Sequence, residues 1–462
     1  MTVFFVSLAR KIIFLTLSIG LGVAGFLVAQ HWDTSSGPSN LSLASTAQLP
    51  RTAMAFDAEP LLLTRAESPV DLGGDAIGVT YILEKGGDIL RVSPSIEGDS
   101  EVTEYTSLGG PKVDSTIGFS AIAFHPHFLV RGLPGYGKFY VVVAEKARSG
   151  EADFVPEFGN AGEHHQDVLY ELATNSPLSA EFDGRKREVM RFSQPGPANN
   201  LRSLVFDLTG ALYLGVGDGA SENVGRNSPS RNSSSLTSAF GKVLRIDPTA
   251  GNSKSGRYGI PDSNPFRLVS EALPELWAFG LRAPHSMSFD PFQRSLCIGE
   301  VGVSGIDEIN ISTFGGEHFG WDLTENRNFF NAALSSQLKE IVTSPLLSLD
   351  RNHGLAGRSI GNVIYRGENF PSLAGRVIVA SDDGQLIALD RNVDKEELAV
   401  LEVSGLDGKE FTALRTGPTG ELVVLCSDGS VFEMRKTGVA GSSKKKRKRL
   451  YCHVAQLVLT NG

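Results

Sequence analysis

A hairpin that recurs along the chain restricts its fold more than any other feature. In the clearest copy, Leu204 and Phe206 alternate with polar or small neighbours. Thr209-Gly210 then turns the chain, and Leu212, Leu214 and Val216 alternate again. Ala123-Phe124-His125-Pro126 leads in the same way to Gly137-Lys-Phe-Tyr-Val141. Ser288-Phe289-Asp290-Pro291 leads to Ser295-Leu-Cys-Ile298, and Thr416-Gly417-Pro418 to Gly420-Glu-Leu-Val-Val424. Each copy reads as an inner strand, a tight turn and an outward strand. Such units, repeated with few helices between them, predict an all-β chain folded as a β-propeller. In that fold the inner strands line a central channel, and loops at one mouth build the site.

Arg10 and Lys11 precede an uncharged apolar run, Ile12 to Ala29. Residues 1–30 therefore read as a signal-anchor or a signal peptide, with the positive pair cytoplasmic and the rest exported. The expected location is periplasmic or otherwise extracytoplasmic, with the membrane as a partner through this segment. Residues 31–60 read as a Ser/Thr/Pro-rich linker, 61–436 as the propeller, and 437–462 as a solvated basic tail. The formal net charge is −9, although Lys444 to Arg449 is entirely basic. The body is thus more acidic still, a poor partner for nucleic acid.

Cys297 and Cys426 sit in apolar strand runs and read as small core hydrophobes. No Cys/His cluster has zinc-ligand spacing. His164-His165 and His125/His127 read as surface or turn residues, and Asp218 as a turn residue bonding its own backbone. The loop Gln194 to Arg202 delivers Asn199, Asn200 and Arg202 to the edge of the central hairpin.

Several stretches, in order between about Gly73 and Arg435, resemble the glucose/sorbosone dehydrogenase family. They include Ile122-Ala-Phe-His-Pro-His-Phe128, Leu212-Tyr-Leu-Gly-Val-Gly-Asp-Gly219 and Gly241-Lys-Val-Leu-Arg-Ile-Asp-Pro248. Leu276-Trp-Ala-Phe-Gly-Leu-Arg282, Asp307-Glu-Ile-Asn310 and Val363-Ile-Tyr-Arg-Gly367 continue the series. The resemblance implies a six-bladed propeller that oxidises sugars with pyrroloquinoline quinone (PQQ) and Ca²⁺. It implies an oxidoreductase on CH–OH groups that passes a hydride to the quinone, with a sugar or related alcohol as substrate.

The same resemblance assigns the site residue by residue. Asn199 stands where the family has its base, a His; an amide cannot take a proton near neutral pH. Asn200 matches the following Asn, and Leu201 and Arg202 replace a small pair. Arg282 matches an arginine that contacts the quinone. Arg366 stands where a Lys contacts the cofactor, or else serves the structure at a strand end; Glu410 and Thr412 stand where two arginines hold the cofactor's carboxylates, and Thr116 where a Gln is expected. Gly302 and Val303 match backbone carbonyls that bind Ca²⁺. His285 reads either as a substitute base or as a satisfied structural histidine. Arg282 reads either as a ligand or as the partner of Glu300, Asp307 or Glu308. The alternative function is a non-catalytic propeller that binds carbohydrate or protein, as the hedgehog-interacting proteins of this family do.

Overall fold

The structure, a computed structural model, describes residues 51–62, 66–93, 100–109, 118–158, 162–219, 231–303, 305–321, 323–325, 328–329, 341–351, 357–390, 398–417 and 419–435. The apolar segment, the linker before Arg51, Thr116 and the basic tail lie outside these residues. Among the described residues no helix is long and apolar enough to cross a membrane.

Twenty-four of the described strands form six blades of four, each ordered from the channel outward, and Thr324–Glu325 and Asn328–Phe329 pair as a separate short hairpin. Blade one is β2 (Pro69–Gly74), β3 (Thr80–Glu84), β4 (Asp88–Ser93) and β5 (Glu101–Ser107). Blade two is β6 (Phe119–Phe124), β7 (Lys138–Lys146), β8 (His165–Ala173) and β9 (Arg185–Gln194). Blade three is β10 (Leu201–Phe206), β11 (Leu212–Val216), β12 (Lys242–Ile246) and β13 (Leu276–Phe279). Blade four is β14 (Pro284–Asp290), β15 (Ser295–Glu300), β16 (Ile306–Ser312) and β17 (Leu347–Asp350). Blade five is β18 (Ser359–Ile364), β19 (Val377–Ser381), β20 (Leu386–Leu389) and β21 (Leu398–Ser404). Blade six takes β22 (Phe411–Thr416), β23 (Leu422–Cys426) and β24 (Val431–Arg435) from the end of the described chain. Its outer strand is β1 (Arg51–Leu62), from the beginning. β1 runs antiparallel to β24 and also lies parallel to β21 of blade five.

The last residues of the expected linker are therefore a strand of the propeller. Its alternating apolar content is weak, and its pairing partners lie more than 300 residues away, so no local pattern announces it. The second strand of most blades is buried along its whole length, as in Leu212–Val216 and Leu422–Cys426. Both faces of such a strand meet a neighbouring blade, so a continuous apolar run suits it better than alternation. The core divides accordingly into six clusters, each filling one junction between blades. Cys297 and Cys426 are buried thiols of blades four and six, in no disulfide among the described residues.

The inner strands contact one another in ring order, from β2 to β6, β10, β14, β18 and β22 and back to β2. Every one of them carries a register shift at its second residue. Those residues are Val70, Ser120, Arg202, His285, Ile360 and Thr412. Each is at least partly accessible, while the residues on either side of it are buried. A bulge turns the extra side chain away from the blade. Six bulges at equivalent positions thus set a ring of six side chains into the channel, just below one mouth.

Candidate functional site at the channel mouth

The mouth is built from the segments entering the inner strands and from the turns between the second and third strands. Asn199 ends the segment entering β10, with φ of 55°. Asparagine tolerates this left-handed conformation better than most side chains. Gly217 permits the close packing of this turn: a Cβ there would lie 2.0 Å from the Asn199 carbonyl oxygen. Asn199 Nδ2 donates to Asp218 Oδ1 at 3.0 Å, and Trp321 Nε1 donates to Asp218 Oδ2 at 2.8 Å. The Asp218 N–H donates to the Arg282 carbonyl at 2.8 Å. Asp218 is fully buried. It is therefore not a turn residue serving its own backbone; it ties Asn199 of blade three to the loops of blade four.

Arg282 continues this framework. Its backbone N–H donates to Glu300 Oε1, its Nη1 donates to the Val301 carbonyl at 2.8 Å, and its guanidinium lies 5.5 Å from the Trp321 ring centre. Glu300 is thus its partner, through the backbone rather than through an ion pair. Arg282, Glu300, Gly302, Glu308, Phe319 and Trp321 line a small recess at the rim. Burial, reinforced by the charge of Glu308, pushes the Glu300 carboxyl up to about 8.

His285 belongs to the channel ring. Its Nε2 faces the Ser359 carbonyl, and its Nδ1 lies 3.3 Å from the Ala283 carbonyl. Burial lowers its pKa to about 4, and the charges of Arg202 and Arg358 push the same way. In the neutral ring Nε2 carries the proton and donates to Ser359. The remaining lone pair is turned toward a carbonyl, not toward the channel, so the substitute-base reading finds no support in this geometry.

Arg202 stands beside His285 in the ring, open to solvent yet surrounded by protein. Close to it lie polar atoms that are shut off from solvent and have no hydrogen-bond partner: Asn200 Oδ1, Ser359 Oγ and Gln194 Oε1. Buried polar atoms are rarely left unpaired. Having no accessible surface, these three belong to the framework behind the mouth rather than to its ligand-facing wall.

Residues 78–433 match the sequence profile described as Glucose / Sorbosone dehydrogenase. The chain belongs to that family. It is 27% identical over 338 residues to the HIPL1 protein of Arabidopsis thaliana, covering 64% of this chain and 46% of that one. It is 29% identical over 234 residues to the aldose sugar dehydrogenase YliI of Escherichia coli (strain K12), covering 49% and 57%. The chain thus spans about half the length of the curated relatives it matches. The PQQ-bound aldose sugar dehydrogenase of Streptomyces coelicolor shares the fold, with a TM-score of 0.58 at 16% identity over 82% of this chain and 98% of that one.

Within the glucose/sorbosone dehydrogenase family plan, the structure brings Asn199, Arg202 and Arg282 to one mouth. Asn200 is there too, its Nδ2 donating to the Pro197 carbonyl at 2.9 Å. Glu410 and Thr412 border the mouth at β22; Glu410 is exposed and Thr412 is a ring member. Arg366 is not at this mouth. It follows the far end of β18 and holds Asp290, at the far end of β14, through Nε–Oδ1 at 3.0 Å and Nη2–Oδ2 at 2.5 Å. It pins blade five to blade four on the opposite face. Replacing Arg366 with Met removes the charged partner of the buried Asp290 carboxylate, which keeps the Phe292 N–H, so about 2–3 kcal/mol of stability is lost, the partial exposure of Arg366 holding the loss below that of a wholly buried pair. Ligand binding at the mouth stays unchanged, and urea unfolding beside a binding titration reads both.

The turn expected to bind calcium carries an arginine contact. The Gly302 carbonyl already accepts from Arg351 Nη2 at 3.2 Å, so a cationic side chain occupies the place given to the metal. Val303 lies in the same turn, and among the described residues no group of three His, Cys, Asp or Glu side chains converges as a metal site. For PQQ the fit is divided. Arg202, Arg282 and Arg358 supply cationic surroundings for an anionic cofactor, whereas Asn199 does not provide the base. His165, expected at the surface, is buried in β8, with Nε2 at 3.1 Å from Asp167 Oδ1. His125 is buried as well, packed against Gly135 and Gly210.

Proposed function

We propose that the channel mouth binds a sugar and that the protein is an oxidoreductase acting on a sugar CH–OH group, with PQQ as its electron acceptor. The observation that carries the sugar reading is the mouth itself, where the partly exposed Asn199, fixed by Asp218, stands beside Arg202 of the channel ring. Family membership over 78–433 supports the reaction class. PQQ, when bound, supplies the two-electron acceptor. The residues of this chain bind and orient. Asn199 gives its amide protons to Asp218, which leaves Oδ1 to accept from a sugar hydroxyl. It holds the hydroxyl without removing its proton, which passes to channel water as the hydride leaves for the quinone, so turnover is slow. Export through residues 1–30 is part of the same proposal.

A second reading, a propeller that binds carbohydrate without oxidising it, is favoured by the Asn199–Asp218 bond itself. Calorimetric titration with PQQ, with and without Ca²⁺, separates the two when combined with reduction of an artificial acceptor across an aldose panel. PQQ binding and slow aldose-dependent reduction are expected. Sugar binding without PQQ binding at micromolar concentrations abandons the oxidoreductase in favour of the second reading.

A further inference from the structure

The charged member of the channel ring has no counterpart. Arg202 makes no side-chain hydrogen bond or ion pair among the described residues. The nearest carboxylate acting on it, Asp167, is already engaged. Asp167 Oδ2 accepts from Gln194 Nε2 at 2.7 Å and from the Leu201 N–H at 2.9 Å, and its Oδ1 faces His165. The other ring members, Val70, Ser120, Ile360 and Thr412, carry no charge, and His285 is held neutral. Arg358 adds a second positive charge nearby, although it is bonded to Asp382 through Nε–Oδ2 at 3.0 Å. The Arg202 guanidinium thus faces the water of the channel with no protein anion paired to it, free to take one from a ligand. Burial and Arg358 both lower the pKa of Arg202, against the opposing pull of Asp167.

We propose that Arg202 is a carboxylate-binding residue of the channel, so that the sugar taken at this mouth is an acidic one, a uronate or an aldonate. This rests on the reading of the mouth as a sugar site. Arginine suits the task because its planar fork pairs both oxygens of a carboxylate. The ligand hydroxyls then fall to Asn199 Oδ1, which the sugar reading of the mouth already assigns to a hydroxyl. One ligand class thereby gives the channel cation its anion and the mouth amide its donor.

The test compares the full chain with Arg202→Met and Arg202→Lys, titrated with glucuronate, gluconate, glucose, PQQ and inorganic phosphate. Wild type is expected to bind glucuronate or gluconate about tenfold or more tighter than glucose, the usual strength of a hydrogen-bonded charge. Arg202→Met loses that preference, keeps its affinity for glucose and unfolds at the wild-type urea midpoint. Arg202→Lys keeps part of the preference. Equal binding of acidic and neutral sugars by wild type overturns the proposal. So does a preference that survives in Arg202→Met, or a loss confined to PQQ or phosphate. Preferential uronate binding without PQQ binding preserves this inference while removing the oxidoreductase, whereas PQQ binding with no acidic preference does the reverse.

Discussion

Replacing Asn199 with His raises the rate of sugar oxidation by about 10²–10⁴-fold in the presence of PQQ, the usual contribution of a positioned general base. The site is already arranged for the change. Asp218 Oδ1, now 3.0 Å from Asn199 Nδ2, can accept from an imidazole N–H and so fix the tautomer that leaves the other nitrogen as the acceptor. Histidine also tolerates the positive φ at this position. Because Asp218 is held by Trp321 and the Arg282 carbonyl, it need not move. Dye-linked turnover across pH is the measurement. The variant gains a limb that rises as its new imidazole loses a proton, which the wild type lacks. If Asn199→His binds PQQ and sugar like wild type but turns over no faster, proton removal is not what limits this site. Asn199→Ala serves as the control: it removes the hydroxyl contact and the Asp218 bond, so the KM for sugar rises and no new pH limb appears.

Phe56→Ala is expected to cost about 3–5 kcal/mol, the range for emptying a buried aromatic site. Phe56 is 2% exposed and meets the Phe370 ring edge-on, with centroids 4.6 Å apart. It packs in the junction of blades five and six and belongs to β1, the strand that completes the ring. Urea unfolding of the two proteins gives the difference. A shift below about 1 kcal/mol means that β1 does not hold the ring. The substitution lies outside the mouth, so the affinity of the surviving folded protein for sugar stays as it was.

The hairpin repeat made the propeller legible because each hairpin is local, and an inner strand and its neighbour lie within about twenty residues of sequence. β1 escaped because both of its partners come from the far end of the described chain. Within the site, the resemblance placed Asn199 and Arg282 at the mouth, where the structure has them. It misplaced Arg366, since a strand has two ends and the motif around Tyr365 does not say which end faces the ligand. Asp218 looked like a turn residue because Gly-Asp-Gly is a common turn sequence; only the approach of Trp321, about a hundred residues later, reveals its role. His165 was read as exposed because its surrounding stretch is polar. In fact Asp167, Gln166 and Gln194 are buried beside it in a hydrogen-bonded layer. Apolar periodicity carries no trace of such a layer.

The six matching bulges also bear on how this protein could diversify. Because each blade gives the channel one side chain at one equivalent position, the inner wall is a short code of six letters. The letters differ in how firmly they are tied: His285 meets two carbonyls, Ser120 donates to the Leu201 carbonyl, and Val70 and Ile360 pack against inter-blade clusters, whereas Arg202 is held by no side-chain bond among the described residues. A new ligand preference can then be acquired at Arg202 by a single substitution that leaves the scaffold untouched. A change as large as a small residue to Arg202 would thus alter what the channel admits without asking any blade to repack.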